Sequence, residues 1–160
     1  MLNRLCAFLL LSMTFASCGS GGNNTPTTPT PPPTLTQASL TLTVSPNPST
    51  ATVCSPLCVA SDGNSYSFRI SGTLTIQETA GVSGNVDGIQ LFTNPTHNPN
   101  EIIQRSGTNH IAAKGSLAYP VDVVYGLGAN ASRSIVVPIT VTFSDDHGNH
   151  LSPVMQWTGQ

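Results

Sequence analysis

The sequence predicts an all-β fold, a single antiparallel β-sandwich of about seven to nine strands, over residues 36–160. Apolar and polar residues alternate along most of this region, as they do in strands that bury one face. Clusters of Gly, Pro, Asn, Asp and Ser separate the alternating runs, which is typical of turns. No stretch keeps the 3.6-residue period of a long amphipathic helix. The region is long enough for one domain with one core.

The clearest predicted strand spans residues 65–77, where apolar side chains occupy the even positions and polar ones the odd positions. Gly72 interrupts the apolar face, which predicts a bend or a bulge. Residues 82–92 also alternate, but the parity of the apolar positions shifts near Gly88 and predicts another bulge. The same alternation predicts further strands at residues 40–44, 117–127, 135–144 and 154–157.

Two features of these runs are less regular. Pro120 and Pro138 lack the N–H that a strand ladder uses, so we expect an edge or a bulge at Pro138. Residues 101–105 fit either one helical turn or a short strand. These details leave the all-β prediction unchanged.

Short strands separated by regular turns resemble the immunoglobulin-like domains of bacterial surface proteins. The resemblance covers residues 36–160 and concerns the architecture, because the Cys…Trp…Cys core of antibody domains is absent. It implies an immunoglobulin-like β-sandwich that binds through its loops or a sheet edge. A closed β-barrel is the alternative fold.

The first residues resemble the signal of a bacterial lipoprotein. Arg4 supplies a positive charge, and residues 5–15 form an apolar stretch that is too short for a spanning helix, which needs about 20 residues. Two small residues then precede Cys18. The resemblance implies that residues 1–17 are a signal peptide and that Cys18 is lipidated. Phe15 departs from the aliphatic residue usual at its position, and an ordinary secretory signal is the alternative.

The segment after Cys18 resembles a membrane tether. Gly19 stands where lipoproteins of the inner membrane carry Asp, so the resemblance implies the outer membrane of a bacterial cell envelope. Residues 19–34 contain only Gly, Ser, Asn, Thr and Pro, which offer no apolar surface to bury. We therefore expect residues 18–35 to be a lipidated N-terminus and a disordered linker. Fully extended, the linker reaches roughly 50 Å.

The cysteines divide between the signal and the domain. Cys6 leaves with the signal and Cys18 takes the lipid, so Cys54 and Cys58 remain. An even pair in an exported chain predicts a disulfide, with Pro56 favouring a turn between the two. The alternatives are reduced cysteines, a redox-active pair and half of a metal site. The spacing differs from that of thioredoxin-type motifs, and a zinc site needs further ligands.

The densest polar cluster spans residues 145–150 and is a candidate metal site. Carboxylates suit calcium, whereas imidazoles suit zinc or copper. The alternative is a hairpin turn in which Asp and Asn side chains bond the local backbone and Gly148 adopts a positive φ. His97 and His110 are isolated in the sequence. The candidate ligands are Asp145, Asp146, His147 and His150.

Composition and motifs argue against several classes of function. The chain has a net charge of −2, and charged residues make up 8% of it, against about 25% in typical soluble domains. Its basic residues are scattered, so no patch suits nucleic acid. The sequence contains no nucleophile elbow, phosphate loop or HExxH motif, and its carboxylates are dispersed.

The sequence therefore predicts a non-catalytic envelope lipoprotein that needs no cofactor. We expect it to reach the membrane through its lipid anchor and to bind a protein or a glycan. The alternative is a structural accessory subunit of an envelope complex. A metal-binding protein or a hydrolase is the third hypothesis.

Overall fold

The computed structural model of the chain describes residues 37–60, 62–92, 96–127 and 130–160. These residues are mostly β and form two antiparallel sheets, so the predicted all-β sandwich is confirmed at that level. The helix among them is too short to cross a membrane. The predicted signal peptide 1–17, Cys18 and the linker 18–35 lie outside the described residues.

In chain order the elements are β1 (Leu40–Ser45), β2 (Thr52–Val59), β3 (Ser65–Glu78), β4 (Gly84–Leu91), α1 (Pro99–Ser106), β5 (His110–Ile111), β6 (Ser116–Tyr125), β7 (Ile135–Asp145), β8 (His150–Leu151) and β9 (Val154–Gly159). The first sheet has β3 at its centre, with β6 on one side and β1 and β2 sharing the other. The second sheet has β7 at its centre, with β4 and then β5 on one side and β8 and β9 on the other.

The predicted bulge near Gly88 is present, because the pairing of β4 with β7 shifts between Val86 and Gly88. Of the two features predicted at Gly72, a bend or a bulge, the bulge is wrong, since β3 keeps its register with β6 through that residue. Gly72 permits a close approach instead. A Cβ there would lie 3.1 Å from the carbonyl oxygen of Ser45 and 3.4 Å from Cζ2 of Trp157.

The two strand prolines are accommodated differently. Pro120 lies in β6, an edge strand whose pairing partner is β3. Pro138 lies in the central strand β7, so the predicted edge is wrong, and the pairing with β9 runs past it without a shift. The carbonyl of Pro138 accepts a hydrogen bond from the N–H of Phe92, which directly follows β4. The position without an N–H, Pro138, therefore lies where β4 ends, so little hydrogen bonding between β4 and β7 is lost.

The ambiguous segment after residue 98 is the helix α1. The side chain of Asn98 accepts from the N–H of Glu101, and the Glu101 carboxylate accepts from the N–H of Asn98, which makes a capping box. Pro99 opens the helix and Gly107, with φ 81°, ends it. Ile102 is fully buried and packs α1 against the core. The helix thereby lies beside β4 and β6.

The core is one cluster of apolar side chains contributed by both sheets. Trp157, on β9, is fully buried, and its Nε1 donates to Oγ of Ser49 at 2.9 Å and to the carbonyl of Pro46 at 3.1 Å. The segment after β1 also pairs with the last residues of the chain, since the N–H of Ser49 donates to the carbonyl of Thr158. This segment therefore joins the first sheet to the second.

The sandwich has two ends, which we call proximal and distal. The proximal end contains the first described residues, because Leu40 pairs with Glu78 and the N–H of Ala38 donates to the carboxylate of Asp145. β3 runs from the distal end to the proximal end, and β6 runs back. The distal end contains β2, the start of β3 and the connections that follow β4 and β6.

A buried carboxylate organises the proximal end. The side chain of Glu78 is fully buried, and its oxygens accept from the backbone N–H groups of Ser39, Ala80, Gly81 and Lys114 at 2.7–3.2 Å. Burial alone raises the pKa of Glu78, but the four donors together outweigh it and lower the pKa from 4.5 to about 2. Glu78 therefore joins the start of the domain to two turns.

Candidate functional site

Of the eight large apolar residues that are exposed in the described parts of the chain, six lie at the distal end and two, Ile103 and Val154, lie elsewhere. Val59 and Leu127 are 70% and 66% exposed, although water-facing positions in this chain are mostly polar. The members come from β2, from the residues that follow β4 and β6 and from the start of β7. Large exposed apolar patches mark interaction sites on soluble domains. We call this set the distal apolar surface, formed by Val53, Leu57, Val59, Phe92, Leu127 and Val136.

Phe92 is the most constrained member of the distal apolar surface. Its φ is +58°, a conformation that non-glycine residues seldom adopt, and its N–H donates to the carbonyl of Pro138 at 2.9 Å. Its side chain is 47% exposed and lines a hollow of about 380 Å³ together with Tyr66 and Leu127. The hydroxyl of Tyr66 donates to Asp62 at 2.7 Å at the same hollow. The hollow thus combines aromatic faces with one polar rim.

The predicted disulfide between Cys54 and Cys58 is confirmed, with their Cα atoms 5.4 Å apart. The sequence indicated a turn at this pair, whereas the structure has the edge strand β2, whose register shifts between Val53 and Cys58. The bridge closes that irregular stretch and leaves Leu57 53% exposed. An irregular edge resists pairing with other strands. The disulfide therefore presents Leu57 on a constrained loop.

A second feature of the distal half is a cleft of about 630 Å³ between the outer face of the first sheet and the segment that leads into α1. Its floor carries side chains from β3 and β6, and its wall carries side chains from residues 96–105. We call it the polar cleft, and its charged or titratable members are Arg69, His97, Glu101, Arg105 and Asp122.

The floor of the polar cleft is held by an ion pair. Nε of Arg69 lies 3.2 Å from Oδ1 of Asp122, and Oγ of Ser71 donates to the same oxygen at 2.8 Å. Arg69 and Asp122 are 50% and 43% exposed, and such solvent-exposed pairs stabilise a fold by at most about 1 kcal/mol. The pair therefore orients the two side chains more than it stabilises the domain.

The wall is held by a buried tyrosine. The hydroxyl of Tyr119 and Nδ1 of His97 form a hydrogen bond, and the Arg105 guanidinium carbon lies 5.9 Å from the centroid of the Tyr119 ring. Burial and then the charge of Arg105 lower the pKa of His97, and Glu101 opposes them weakly. His97 is therefore neutral at pH 7, and Tyr119 positions two members of the cleft at once.

The predicted metal ligands lie at the proximal end, where both carboxylate oxygens of Asp145 accept hydrogen bonds from groups of the protein. The Asp145 carboxylate, 5% exposed, accepts from the backbone N–H groups of Ala38, His147 and Asn149 and from Nδ2 of Asn149, at 2.8–3.2 Å. Burial raises its pKa, but these donors outweigh burial and lower the pKa to about 2. Asp146 bonds Ser83.

No three His, Cys, Asp or Glu side chains in the described parts of the chain come together as metal ligands would. The metal site stays a prediction. His150 instead belongs to a row of polar side chains on the outer face of the second sheet. Its Nδ1 lies 2.8 Å from Oγ of Ser144, and Oγ of Ser144 donates to Asp87 at 2.5 Å.

The same row ends at His110. Asn85 pairs with Ser144 on one side and with His110 on the other, and Nδ1 of His110 lies 3.3 Å from Oδ1 of Asn85. In a catalytic triad the histidine stands between the acid and the serine, whereas here Ser144 stands between Asp87 and His150. The serine proton is directed to Asp87, so this row lacks the order of a nucleophilic triad.

The sequence missed the polar cleft, because its members come from three distant segments. One sequence signal could have pointed to the wall of the cleft. The run Asn98-Pro99-Asn100-Glu101 has the spacing of a capping box and predicts a helix start. A helix from Pro99 places Glu101 and Arg105 four residues apart on one face.

Comparisons with known proteins give no relative for this chain. No protein-family model, no curated protein and no solved structure matches it.

Proposed function

We propose that the chain is a non-catalytic, lipid-anchored binding module of the bacterial outer membrane that engages its partner through the distal end. In this proposal residues 1–17 are the signal peptide, Cys18 carries the lipid, residues 18–35 are the linker and residues 36–160 are an immunoglobulin-like sandwich. The partner is a protein or a glycan of the envelope.

The opposite placement of two features carries the proposal. The described chain starts at the proximal end, where Ala38 and Ser39 are bonded to Asp145 and Glu78, and most of the exposed apolar side chains lie at the distal end. The central strand β3 alone spans roughly 45 Å at about 3.3 Å per residue. A tether that joins the domain at its proximal end leaves the distal apolar surface free to contact a partner.

The order of the strands supports the immunoglobulin-like part. β1, β3 and β6 pair in the order of strands A, B and E, and β5, β4, β7 and β9 pair in the order of C′, C, F and G. Two departures distinguish this domain. The buried tryptophan, Trp157, lies on the last strand, β9. The helix α1 is inserted between β4 and β5, the strands that correspond to C and C′.

The anchor is tested by metabolic labelling with palmitate. We expect label on the wild-type chain and none on Cys18→Ala. Cys6→Ala is the matched control, because Cys6 lies inside the predicted signal peptide and its loss should leave the label unchanged. Equal labelling of Cys18→Ala and wild type would refute the anchor.

The binding role is tested by cross-linking in intact envelopes followed by capture of the full-length chain. Leu57→Ser with Leu127→Ser should lose the cross-linked partner, because both side chains are exposed on the distal apolar surface. Val154→Ser is the control, since Val154 is 62% exposed but lies outside that surface. A partner recovered in equal amounts with all variants would refute the distal site. A stoichiometric, permanently bound partner would favour the structural subunit over the binding module.

A further inference from the structure

Charged side chains are concentrated in the polar cleft to an unusual degree for this chain. The sequence has 5 Lys and Arg residues and 7 Asp and Glu residues. Two of each kind line this one cleft, although they come from positions as far apart as 69 and 122. This convergence makes the polar cleft a candidate ligand site.

The charged side chains that line the cleft are held in place, yet each keeps hydrogen-bonding atoms that could bind a ligand. Among the described residues, the guanidinium of Arg105 makes no hydrogen bond, although the Tyr119 ring holds it in place. Oδ2 of Asp122 and Oε1 of Glu101 likewise have no partner there, whereas the other oxygen of each carboxylate is bonded. The cleft therefore offers strong donors and strong acceptors side by side, in positions already set by the protein.

The balance of charge selects among ligand classes. Arg69 and Arg105 are offset by Glu101 and Asp122, and His97 is neutral at pH 7. An anion would accept from the guanidinium donors but would be repelled by the two carboxylates. A cation would be attracted by the carboxylates but repelled by the two guanidinium groups. A sugar hydroxyl donates and accepts at once, so neighbouring hydroxyls satisfy both kinds of group without adding charge.

We propose that the polar cleft is a binding site for a neutral carbohydrate. Arg105 and Arg69 donate to hydroxyl oxygens, and the unpaired oxygens of Asp122 and Glu101 accept from hydroxyl protons. Val59 and Val124 supply apolar contact for the C–H face of a sugar ring at the cleft margin. The cleft volume lies within the range of small-ligand sites. This inference rests on the proposed binding module and names its ligand class.

The test uses the full-length chain in a zwitterionic detergent, because detergents with sugar headgroups would compete. The probes are maltohexaose, cellohexaose, chitohexaose and mannohexaose, with hexagalacturonate and an uncharged Gly/Ser/Asn dodecapeptide for comparison. Binding is measured by calorimetry. We expect at least one neutral hexasaccharide to bind, and we expect the acidic sugar and the peptide to bind more weakly or not at all.

Variants then assign the binding to the cleft. Arg105→Gln and Asp122→Asn should each weaken binding by about tenfold, the effect of losing a charged hydrogen bond. The matched controls are Lys114→Gln and Asp87→Asn, which make the same changes of charge outside the cleft and should stay within about twofold of wild type. Unchanged circular dichroism shows that each variant is folded.

Three results would overturn the carbohydrate site. These are no binding of any neutral hexasaccharide, preferential binding of hexagalacturonate or the peptide, and binding that Arg105→Gln and Asp122→Asn leave intact. None of these results affects palmitate labelling at Cys18 or cross-linking through Leu57 and Leu127. Failure of the carbohydrate site is therefore distinguishable from failure of the lipid-anchored binding module.

Discussion

The carboxylate of Asp145 accepts a hydrogen bond from the backbone N–H of Ala38, 107 residues earlier in the chain, at 3.0 Å. One of its oxygens also accepts from the N–H groups of His147 and Asn149 within the turn that follows β7. A side chain that the sequence marks as a candidate metal ligand therefore secures the start of the domain against that turn.

We expect Asp145→Asn to lower the melting temperature of the full-length chain. An amide keeps one acceptor oxygen but replaces the other with a donor, which cannot accept from the N–H of Ala38 or from Asn149. Asp146→Asn is the control, because Asp146 is exposed and its partner is the hydroxyl of Ser83. Circular dichroism melts with and without calcium or zinc provide the measurement. A melting temperature that rises with metal in wild type, but not in Asp145→Asn, would instead support the metal site.

Stability should fall in acid because of Glu78 and Asp145. Their pKa values lie at about 2 in the folded chain, below the ordinary values of 4.5 and 3.8, so the folded state binds fewer protons than the unfolded state. Their contribution is complete above pH 4.5 and is lost as the pH falls toward 2. Thermal melts between pH 7 and pH 2 should show that decline, and a melting temperature that stays level to pH 2 would contradict it.

Glu78→Gln should destabilise the fold by about 1–3 kcal/mol at pH 7, since two buried N–H donors then face an amide NH₂. The variant should also lose part of the acid dependence seen in wild type. Asp87→Asn serves as the control for charge, because Asp87 is exposed on the second sheet. Chemical denaturation at pH 7 and pH 3 measures both effects. Equal losses for Glu78→Gln and Asp87→Asn would rule out the proposed role of the buried carboxylate.

Trp157 should report on the contact between the two sheets. It is the single tryptophan of the chain and is fully buried, so its emission should be blue-shifted and should move to the red on unfolding. Ser49→Ala removes one acceptor of its Nε1 and should cost about 1 kcal/mol, with Ser39→Ala as a control in which the hydroxyl has no partner among the described residues. Denaturant titrations followed by fluorescence provide the measurement, and unchanged stability in Ser49→Ala would contradict the role of the bond.

Reduction of the Cys54–Cys58 bridge should destabilise the domain without unfolding it. The closed loop is short, so the constraint on the unfolded chain contributes about 2 kcal/mol. We expect dithiothreitol to lower the melting temperature by several degrees, and to have no effect on Cys54→Ser with Cys58→Ser. Complete unfolding on reduction would show that β2 supports more of the fold than its edge position indicates.

Periodicity predicted the strands with one buried face, because alternation registers burial directly. It missed β2, whose side chains are mostly exposed on both faces, so Thr52–Val59 shows no alternation to detect. It also could not assign a role to Gly72, since the close approach there involves Val44 and Ser45 of β1 and Trp157 of β9, which are far away in the sequence. Local patterns register local burial, and these two features depend on tertiary contacts.

The candidate sites divide in the same way. The disulfide was predictable because two cysteines remain after the predicted signal and both lie in one short segment. The polar cleft was not, because Arg69 and Asp122 meet only through the pairing of β3 with β6. The Asp145 turn was recognised as one of two alternatives, but the partner that buries its carboxylate, Ala38, lies at the other end of the domain.

The contacts of the Ser49 segment with residues 157–160 make the first sheet depend on the far end of the domain. The hydroxyl of Ser49 accepts from Trp157, which lies 108 residues further along the chain. The N–H of Ala51 likewise donates to the carbonyl of Gln160. A chain cut short before Trp157 would therefore hold nearly every strand of the sandwich and still lack the residue that closes its core.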